Sequence, residues 1–123
     1  MIRTLILIGL GGGAGSILRY LTSVLTNKYF HGAFPLATCI VNIAGCFVIG
    51  WLVGMLGRQS NHPDLNALFI TGFCGGYTTF STFSAENLHL FQSGNNSTAF
   101  FYIAVSILAG LFAVWLGWQV SKI

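Results

Sequence analysis

Neutral hydrogen-bond donors and aromatic rings, set within long apolar runs, are the groups of this sequence that can do chemistry. Only two carboxylates are present, Asp64 and Glu86, and they stand at opposite ends of one run. No pair of histidines has the spacing of metal ligands, and no serine stands in a nucleophile elbow. The pattern argues against an enzyme and favours transport, where neutral donors suit an anion better than a cation. The donors are Thr38, Asn42, Ser81, Thr82, Tyr102 and Ser106.

The third apolar run, residues 65–90, carries the most distinctive stretch of the chain. Gly75 and Gly76 weaken a helix, and the β-branched Thr78 and Thr79 follow them. This predicts a helix broken at its middle, at the glycine pair and near the midplane of a membrane. Lipid cannot satisfy the backbone groups that a break exposes, so the break must be buried in protein or line an ion or water site.

Two phenylalanines three residues apart follow the break and share one helix strip with Glu86. One interpretation is an aromatic pair in a packed core, with the neighbouring hydroxyls bonded back to the helix. The other is an anion path, because the edges of aromatic rings carry positive potential. The pattern alone supports the two interpretations of Phe80 and Phe83 equally.

The composition predicts an integral membrane protein. Of the 123 residues, 54% are hydrophobic and 6% are charged, whereas a soluble domain has roughly 25% charged residues. At roughly 20 residues per crossing, four spans nearly exhaust the chain, which predicts a single all-α domain of four transmembrane helices over residues 1–123. The net charge of +3 is small and scattered, which suits contact with lipid headgroups and argues against a nucleic-acid partner.

The four predicted spans cover residues 3–26, 35–56, 65–90 and 99–120. In the first span the spacings Gly9-x-x-x-Gly13 and Gly11-x-x-x-Gly15 predict a close contact with another helix. Arg19 lies in the second half of the same span. It either snorkels to the interface or bonds backbone carbonyls at a helix end or a mouth, and the burial cost of a charge favours the second.

Asn42 is the one strongly polar residue of the second span, and it shares a helix face with Thr38 and Gly45. An asparagine in hydrocarbon must find partners, either on a neighbouring helix or along an ion or water path, and both alternatives stay open. Four short helices pack with a filled core and leave no central channel. A pore therefore implies an oligomer.

The positive charges give little preference for one orientation in the membrane. Four spans place both termini on one side, which carries Arg3, Arg58 and Lys122. The other side carries Lys28, together with Arg19 if that side chain reaches outward. Because the excess of positive charge is so small, the preference for one orientation is predicted to be weak.

At these motifs the sequence resembles the Fluc (CrcB) family of fluoride channels along almost its entire length. The stretch 72–83, GFCGGYTTFSTF, is the highly specific part of the resemblance. The other matching motifs are Gly12-Gly13-Ala14-Gly15 through Arg19-Tyr20, and Thr38-x-x-x-Asn42-x-x-Gly45-x-Phe47.

The resemblance implies passive fluoride export, and thus fluoride resistance, across a bacterial inner membrane. It implies an antiparallel, dual-topology homodimer with two fluoride pathways lined by both subunits. It also implies one structural sodium ion at the dimer centre, held by the backbone carbonyls of Gly75 and Thr78. Glu86 matches an acidic position near the pathway. The implied pathway residues are Thr38, Asn42, Phe80, Ser81, Thr82, Phe83, Glu86, Tyr102 and Ser106, with Arg19 at a mouth or in a structural role.

A small four-helix, proton-coupled drug or cation exporter of the small multidrug resistance kind is the alternative transporter. Such exporters carry an essential carboxylate in the first span, and this chain has none there. A purely structural membrane subunit is a third class, but it does not explain a broken helix with interleaved phenylalanines and hydroxyls. A fluoride channel is therefore the preferred prediction.

Overall fold

The protein is seen in a computed structural model that describes residues 1–57 and 61–123, and within those ranges every regular element is a helix. Helix α1 is Ile2–Tyr29 and α2 is Leu36–Leu56. Helix α3, residues 63–77, joins Pro63–Leu65, Asn66–Cys74 and Gly75–Tyr77. Helices α4, Phe80–Gln92, and α5, Asn96–Val120, complete the chain. Arg58, one of the cations in the predicted charge balance, lies outside the described residues.

Three helices of the described chain are long and apolar enough to cross a membrane, namely α1, α2 and α5. The third predicted run appears instead as α3 and α4, which meet end to end around a break. At 13 residues, α4 is shorter than the roughly 20 residues that a bilayer requires of one helix. The predicted all-α class and the interrupted third helix are therefore confirmed, and the protein is a multi-pass membrane protein.

The break lies at Thr78 and Thr79, so its predicted position at the glycine pair is wrong. Both threonines are extended, with φ −86° and ψ 157° at Thr78 and φ −152° and ψ 117° at Thr79, whereas Gly75 and Gly76 are helical. A branched Cβ favours extended backbone, so the threonines themselves end the helix. Gly76 serves close packing instead, because a Cβ there would clash with the carbonyl oxygen of Gly12 on α1.

The contact between α1 and α3 is a glycine seam in which the two backbones touch. A Cβ at Gly11 would clash with the Leu68 carbonyl, and a Cβ at Gly15 would clash with the Phe73 carbonyl. The seam confirms the close helix contact that Gly11-x-x-x-Gly15 predicted. Gly9 and Gly13 do not belong to it, because a Cβ at either would find nothing within 4 Å.

In α3, residues Asn66–Cys74 have the wider hydrogen-bonding pattern of a π-helix, which is rare and often marks a functional region. This widened part of α3 is the part that holds Leu68 and Phe73 against the seam. One further helical turn, Gly75–Tyr77, connects it to the break, so the packing of α3 on α1 helps to position Thr78 and Thr79.

Helices α2 and α5 form the second half of the core. Gly117 lies against the Phe47 carbonyl and Gly50 against the Val114 carbonyl, so these helices also approach closely. Tyr102 is fully buried, and it clusters with Leu90 of α4. Helices α2 and α5 are thus a second tightly packed pair, and α2 also contacts both α1 and α3.

Candidate functional site

Asn42 on α2 holds the break together. Its side-chain Nδ2 donates to the Thr79 carbonyl at 3.0 Å, and its Oδ1 accepts from the Thr79 N–H at 2.8 Å. One amide therefore takes both backbone hydrogen bonds of the residue at the centre of the break. The interhelical partner that an asparagine in hydrocarbon needs is Thr79, while the second N–H of Nδ2 is left for another acceptor.

The same arrangement removes the helical donors of two backbone carbonyls. A continuous helix would donate the Thr79 N–H to Gly75, but this N–H donates to Asn42. The Thr82 N–H, which would pair with the Thr78 carbonyl, donates to the Thr79 hydroxyl at 3.2 Å. The carbonyls of Gly75 and Thr78 are thus among those that the break releases, together with those of Gly76 and Tyr77, and Gly75 is exposed on the surface of the chain.

Hydroxyl groups satisfy further backbone groups on both sides of the break. The Thr78 hydroxyl donates to the Cys74 carbonyl at 2.8 Å, which closes the last turn of α3. The Thr79 hydroxyl caps α4 by accepting from the Thr82 N–H, and it also donates to the Thr82 hydroxyl at 3.1 Å. Ser81 lies within 3.2 Å of the same Thr79 hydroxyl.

The two phenylalanines after the break have different surroundings. Phe80 is 78% exposed, whereas Phe83 is partly buried against the edge of Tyr102, with ring centroids 5.0 Å apart. The two phenylalanine rings are 5.6 Å apart and tilted by 37°. The described chain therefore supports the packed-core interpretation only for Phe83, because Phe80 has little core around it.

Tyr102 connects the aromatic pair to the acidic residue of the site. It is 0% exposed, and its hydroxyl donates to Glu86 Oε1 at 3.1 Å. Further along α5, the Ser106 hydroxyl is buried and has no hydrogen-bond partner within the described ranges. An unpaired buried hydroxyl is costly, so it marks a position where a ligand or water would be stabilised.

Two cavities divide the predicted pathway residues between them. The outer cavity, about 760 Å³, lies between the end of α1, the segment before α2, and α4, and the break cavity, about 320 Å³, lies beside the break. Tyr102 lines neither, but it contacts Glu86 in the outer cavity and Phe83 in the break cavity. The outer cavity is lined by Thr38, Ser81, Thr82 and Glu86, and the break cavity by Asn42, Phe80, Phe83 and Ser106.

Arg19 is half-buried beside hydroxyl groups. It lines a third cavity, about 250 Å³, together with Thr38, Thr79 and Thr82. Two of these threonines also belong to the break or its cap. The guanidinium thus shares a cavity with residues of the break, which is compatible with a place at a mouth.

Sequence reasoning missed two features of the site. Thr79 was grouped only with the weak helix formers, but it is the residue through which Asn42 and the cap of α4 meet. The second feature is a pair of cysteines, Cys46 and Cys74, which both line the break cavity. The four-residue spacing from Asn42 to Cys46 is the signal that could have placed Cys46 on the same helix face.

The fold and the site define a small multi-pass membrane protein whose interrupted helix presents neutral donors and aromatic rings to two cavities. The chain belongs to the family described as "CrcB-like protein, Camphor Resistance (CrcB)", which it matches over residues 6–118. This confirms the resemblance on which the sequence prediction rested.

Curated relatives cover nearly the whole chain and share one name, "Fluoride-specific ion channel FluC". The protein from Flavobacterium psychrophilum is 50% identical over 121 residues, which is 98% of each chain. The one from Azobacteroides pseudotrichonymphae is 49% identical over 124 residues, or 99% of this chain and 98% of the relative. One from Campylobacter jejuni is 42% identical over 122 residues, or 99% of this chain and all of the relative. A channel name agrees with the prediction of a transport protein rather than an enzyme.

Proposed function

We propose that this protein is a fluoride-selective channel that lets fluoride leave the cell passively through a bacterial inner membrane. The observation that carries the proposal is the full-length similarity, at 42–50% identity, to proteins named as fluoride channels. Neutral donors and ring edges around the two cavities supply suitable chemistry. Lipid and fluoride are the partners this proposal requires, and nucleic acid has no place in it.

Fluoride is small and strongly hydrated, so it must exchange water for several modest contacts. Asn42 offers one N–H that Thr79 does not use, and Ser106 offers an unpaired hydroxyl in the same cavity. The edges of Phe80 and Phe83 add weak positive potential without a full charge. Contacts of this strength can hold an anion without trapping it, which a conducting site requires.

We propose further that two antiparallel copies form the channel, with both chains lining each of two pores. A single chain leaves Phe80 78% exposed and leaves the break cavity open beside it. A second copy that covered this face would enclose the path.

A structural sodium ion at the centre of such a dimer fits the oxygen atoms that the break releases. The carbonyls of Gly75 and Thr78 have lost their helical donors to Asn42 and to the Thr79 hydroxyl. Two copies would together offer four such oxygens, and hard cations prefer oxygen ligands. Within residues 1–57 and 61–123, no three side chains of His, Cys, Asp or Glu converge on a metal position, so the site would consist of backbone oxygens.

Anion efflux from liposomes tests the proposed function. Purified protein is reconstituted with potassium fluoride or potassium chloride inside, a potassium ionophore balances the charge, and an ion-selective electrode measures release. Fluoride is expected to leave at least about 100-fold faster than chloride, which corresponds to a barrier difference of about 2.7 kcal/mol. Protein-free liposomes are the control.

Equal release of both anions, or fluoride release no faster than from protein-free liposomes, would contradict the channel. Release that required a proton gradient would instead favour the proton-coupled exporter. Such an exporter carries its essential acid in the first span. The described part of α1 contains no carboxylate. No feature of the described residues favours the exporter over the channel.

A further inference from the structure

Two thiols lie in the break cavity beside the proposed fluoride path. Cys46 is one turn beyond Asn42 on α2, and Cys74 is the last residue of the widened part of α3, close to the break. Both are free thiols, and Cys74 is only 2% exposed. The thiol of Cys46 points towards Gly110 of α5, where an added Cβ would lie 3.5 Å from its sulfur.

We propose that the break cavity is a binding site for a soft heavy-metal cation of the Hg²⁺ type, held by Cys46 and Cys74. Such an ion would bridge α2 and α3 and close the fluoride path. The metal-binding site is inferred from the residues that line the cavity alone. The expected block of fluoride efflux rests, in addition, on the proposed function.

The donor set selects the kind of metal. Sulfur ligands suit soft cations and do not suit sodium, magnesium or calcium, which take oxygen. Zinc usually takes four ligands in a tetrahedral site, and no third acid, histidine or cysteine joins the pair in the described ranges. A soft cation that prefers two ligands in a line needs only the two thiols.

The charge balance also favours a divalent ion. Each thiol loses its proton to solvent as a sulfur–metal bond forms, so one Hg²⁺ releases two protons and leaves a neutral bis-thiolate complex. A monovalent ion such as Ag⁺ would leave a net negative charge with the same two thiolates. Burying an uncompensated charge in an apolar cavity is costly, and the neutral complex avoids that cost.

The position of the pair explains the expected effect on transport. Asn42 and Ser106, which carry the free N–H and the unpaired hydroxyl, line the same cavity of about 320 Å³ as the two thiols. A metal ion held between Cys46 and Cys74 would fill part of this small space. It would also tie α2 to α3 beside the break, so the cavity could no longer adjust to a passing ion.

The test measures bound metal and fluoride efflux on the same preparations. Purified full-length protein receives Hg²⁺ and is then washed with a monothiol, which removes singly held ions. The variants are Cys46→Ser and Cys74→Ser, and the control is Cys39→Ser, because Cys39 is a buried thiol that does not line the break cavity. Size-exclusion chromatography shows whether each variant is folded, and Cys46→Ala or Cys74→Ala replaces a serine variant that is not. Efflux before metal addition gives the baseline against which the block of each variant is measured.

Wild type and Cys39→Ser are expected to retain one Hg²⁺ per chain and to lose most fluoride efflux. Cys46→Ser and Cys74→Ser should each need roughly 100-fold more metal for the same retention and block, because two linked ligands raise apparent affinity by about that factor. Equal retention in these variants, or loss of retention in Cys39→Ser, would overturn the site. Retention without block would overturn its place on the path. Absence of fluoride efflux from the wild-type protein before metal addition would contradict the proposed channel. It would leave the result on Hg²⁺ binding intact.

Discussion

The glycine seam between α1 and α3 and the break between α3 and α4 handle backbone polarity in opposite ways. In the seam, Gly11 and Gly15 remove side chains so that intact helices touch through their backbones. In the break, the helix stops and side chains of Asn42 and Thr79 replace the lost backbone partners. The seam therefore specifies a distance between helices, and the break specifies a set of free polar groups.

The difference shows that adjacent residues of one motif can have different structural roles. Gly76 belongs to the seam, because it faces the Gly12 backbone, whereas a Cβ on Gly75 would find nothing within 4 Å. Packing on α1 holds the end of α3 rigidly in place. The break can then keep carbonyls without helical donors, among them those of Gly75 and Thr78, at a fixed position, which a loosely held segment could not do. The seam is thus what makes a preorganised ion site possible.

The largest expected effect follows from adding one methyl group to the seam. In Gly15→Ala the new Cβ would clash with the Phe73 carbonyl, so α1 and α3 must separate. Forcing extra volume into a packed contact costs about 1–3 kcal/mol or more, and here the clash is with backbone that cannot rotate away. We expect the midpoint of unfolding in a denaturing detergent to fall sharply, with most of the protein aggregated in size-exclusion chromatography.

Gly13→Ala is the matched control for the seam. It makes the same change two residues away on α1, at a position where a Cβ meets nothing within 4 Å. Alanine in a helix interior is favoured over glycine by about 0.5–1 kcal/mol, so Gly13→Ala should be as stable as wild type or slightly more stable. Equal destabilisation by both variants would show that the seam is not closely packed.

An intermediate effect is expected from Asn42→Asp, which leaves the seam intact and disrupts the break. The carboxylate can still accept from the Thr79 N–H, but it faces the Thr79 carbonyl without a donor. An unmade buried hydrogen bond costs about 1–3 kcal/mol, and the negative charge also repels fluoride. We expect fluoride efflux from liposomes to fall about 100-fold, equivalent to about 2.7 kcal/mol in the barrier.

The control for Asn42→Asp is Asn95→Asp, which makes the same chemical change at an exposed residue before α5. Its efflux should equal that of wild type. If Asn42→Asp instead conducts normally while remaining folded, Asn42 neither braces the break nor contacts the ion.

Local patterns in the sequence predicted the elements of this fold because they depend on neighbouring residues. Apolar runs gave the helices, and the combination of glycines and threonines placed a break in the third run. The position of the break was wrong because the role of Gly76 depends on Gly12, which is far away in the chain but adjacent in space. Periodicity carries no information about such a partner.

The site was predictable in its residue types more than in its arrangement. Asn42 and Thr79 are separated by 37 positions, and no spacing rule connects a helix asparagine to a particular backbone amide. Tyr102 and Glu86 likewise meet only because α4 and α5 pack together. The division into an outer cavity and a break cavity depends on these contacts, so it could not be read from the order of residues.

The smallest expected effect on stability comes from replacing the two phenylalanines after the break. These replacements distinguish a role in the core from a role in the fluoride path. Phe83→Ile loses ring contacts with Tyr102 and Phe80, each worth about 0.5–1.5 kcal/mol, whereas Phe80→Ile loses only the contact with Phe83. If the rings only filled space, conduction would follow this order, and Phe80→Ile would conduct like wild type. If ring edges line the fluoride path, Phe80→Ile should lose most of its efflux although its unfolding midpoint falls less than that of Phe83→Ile. Full efflux in both variants would remove the rings from the path and leave Asn42 and the hydroxyls to carry the ion.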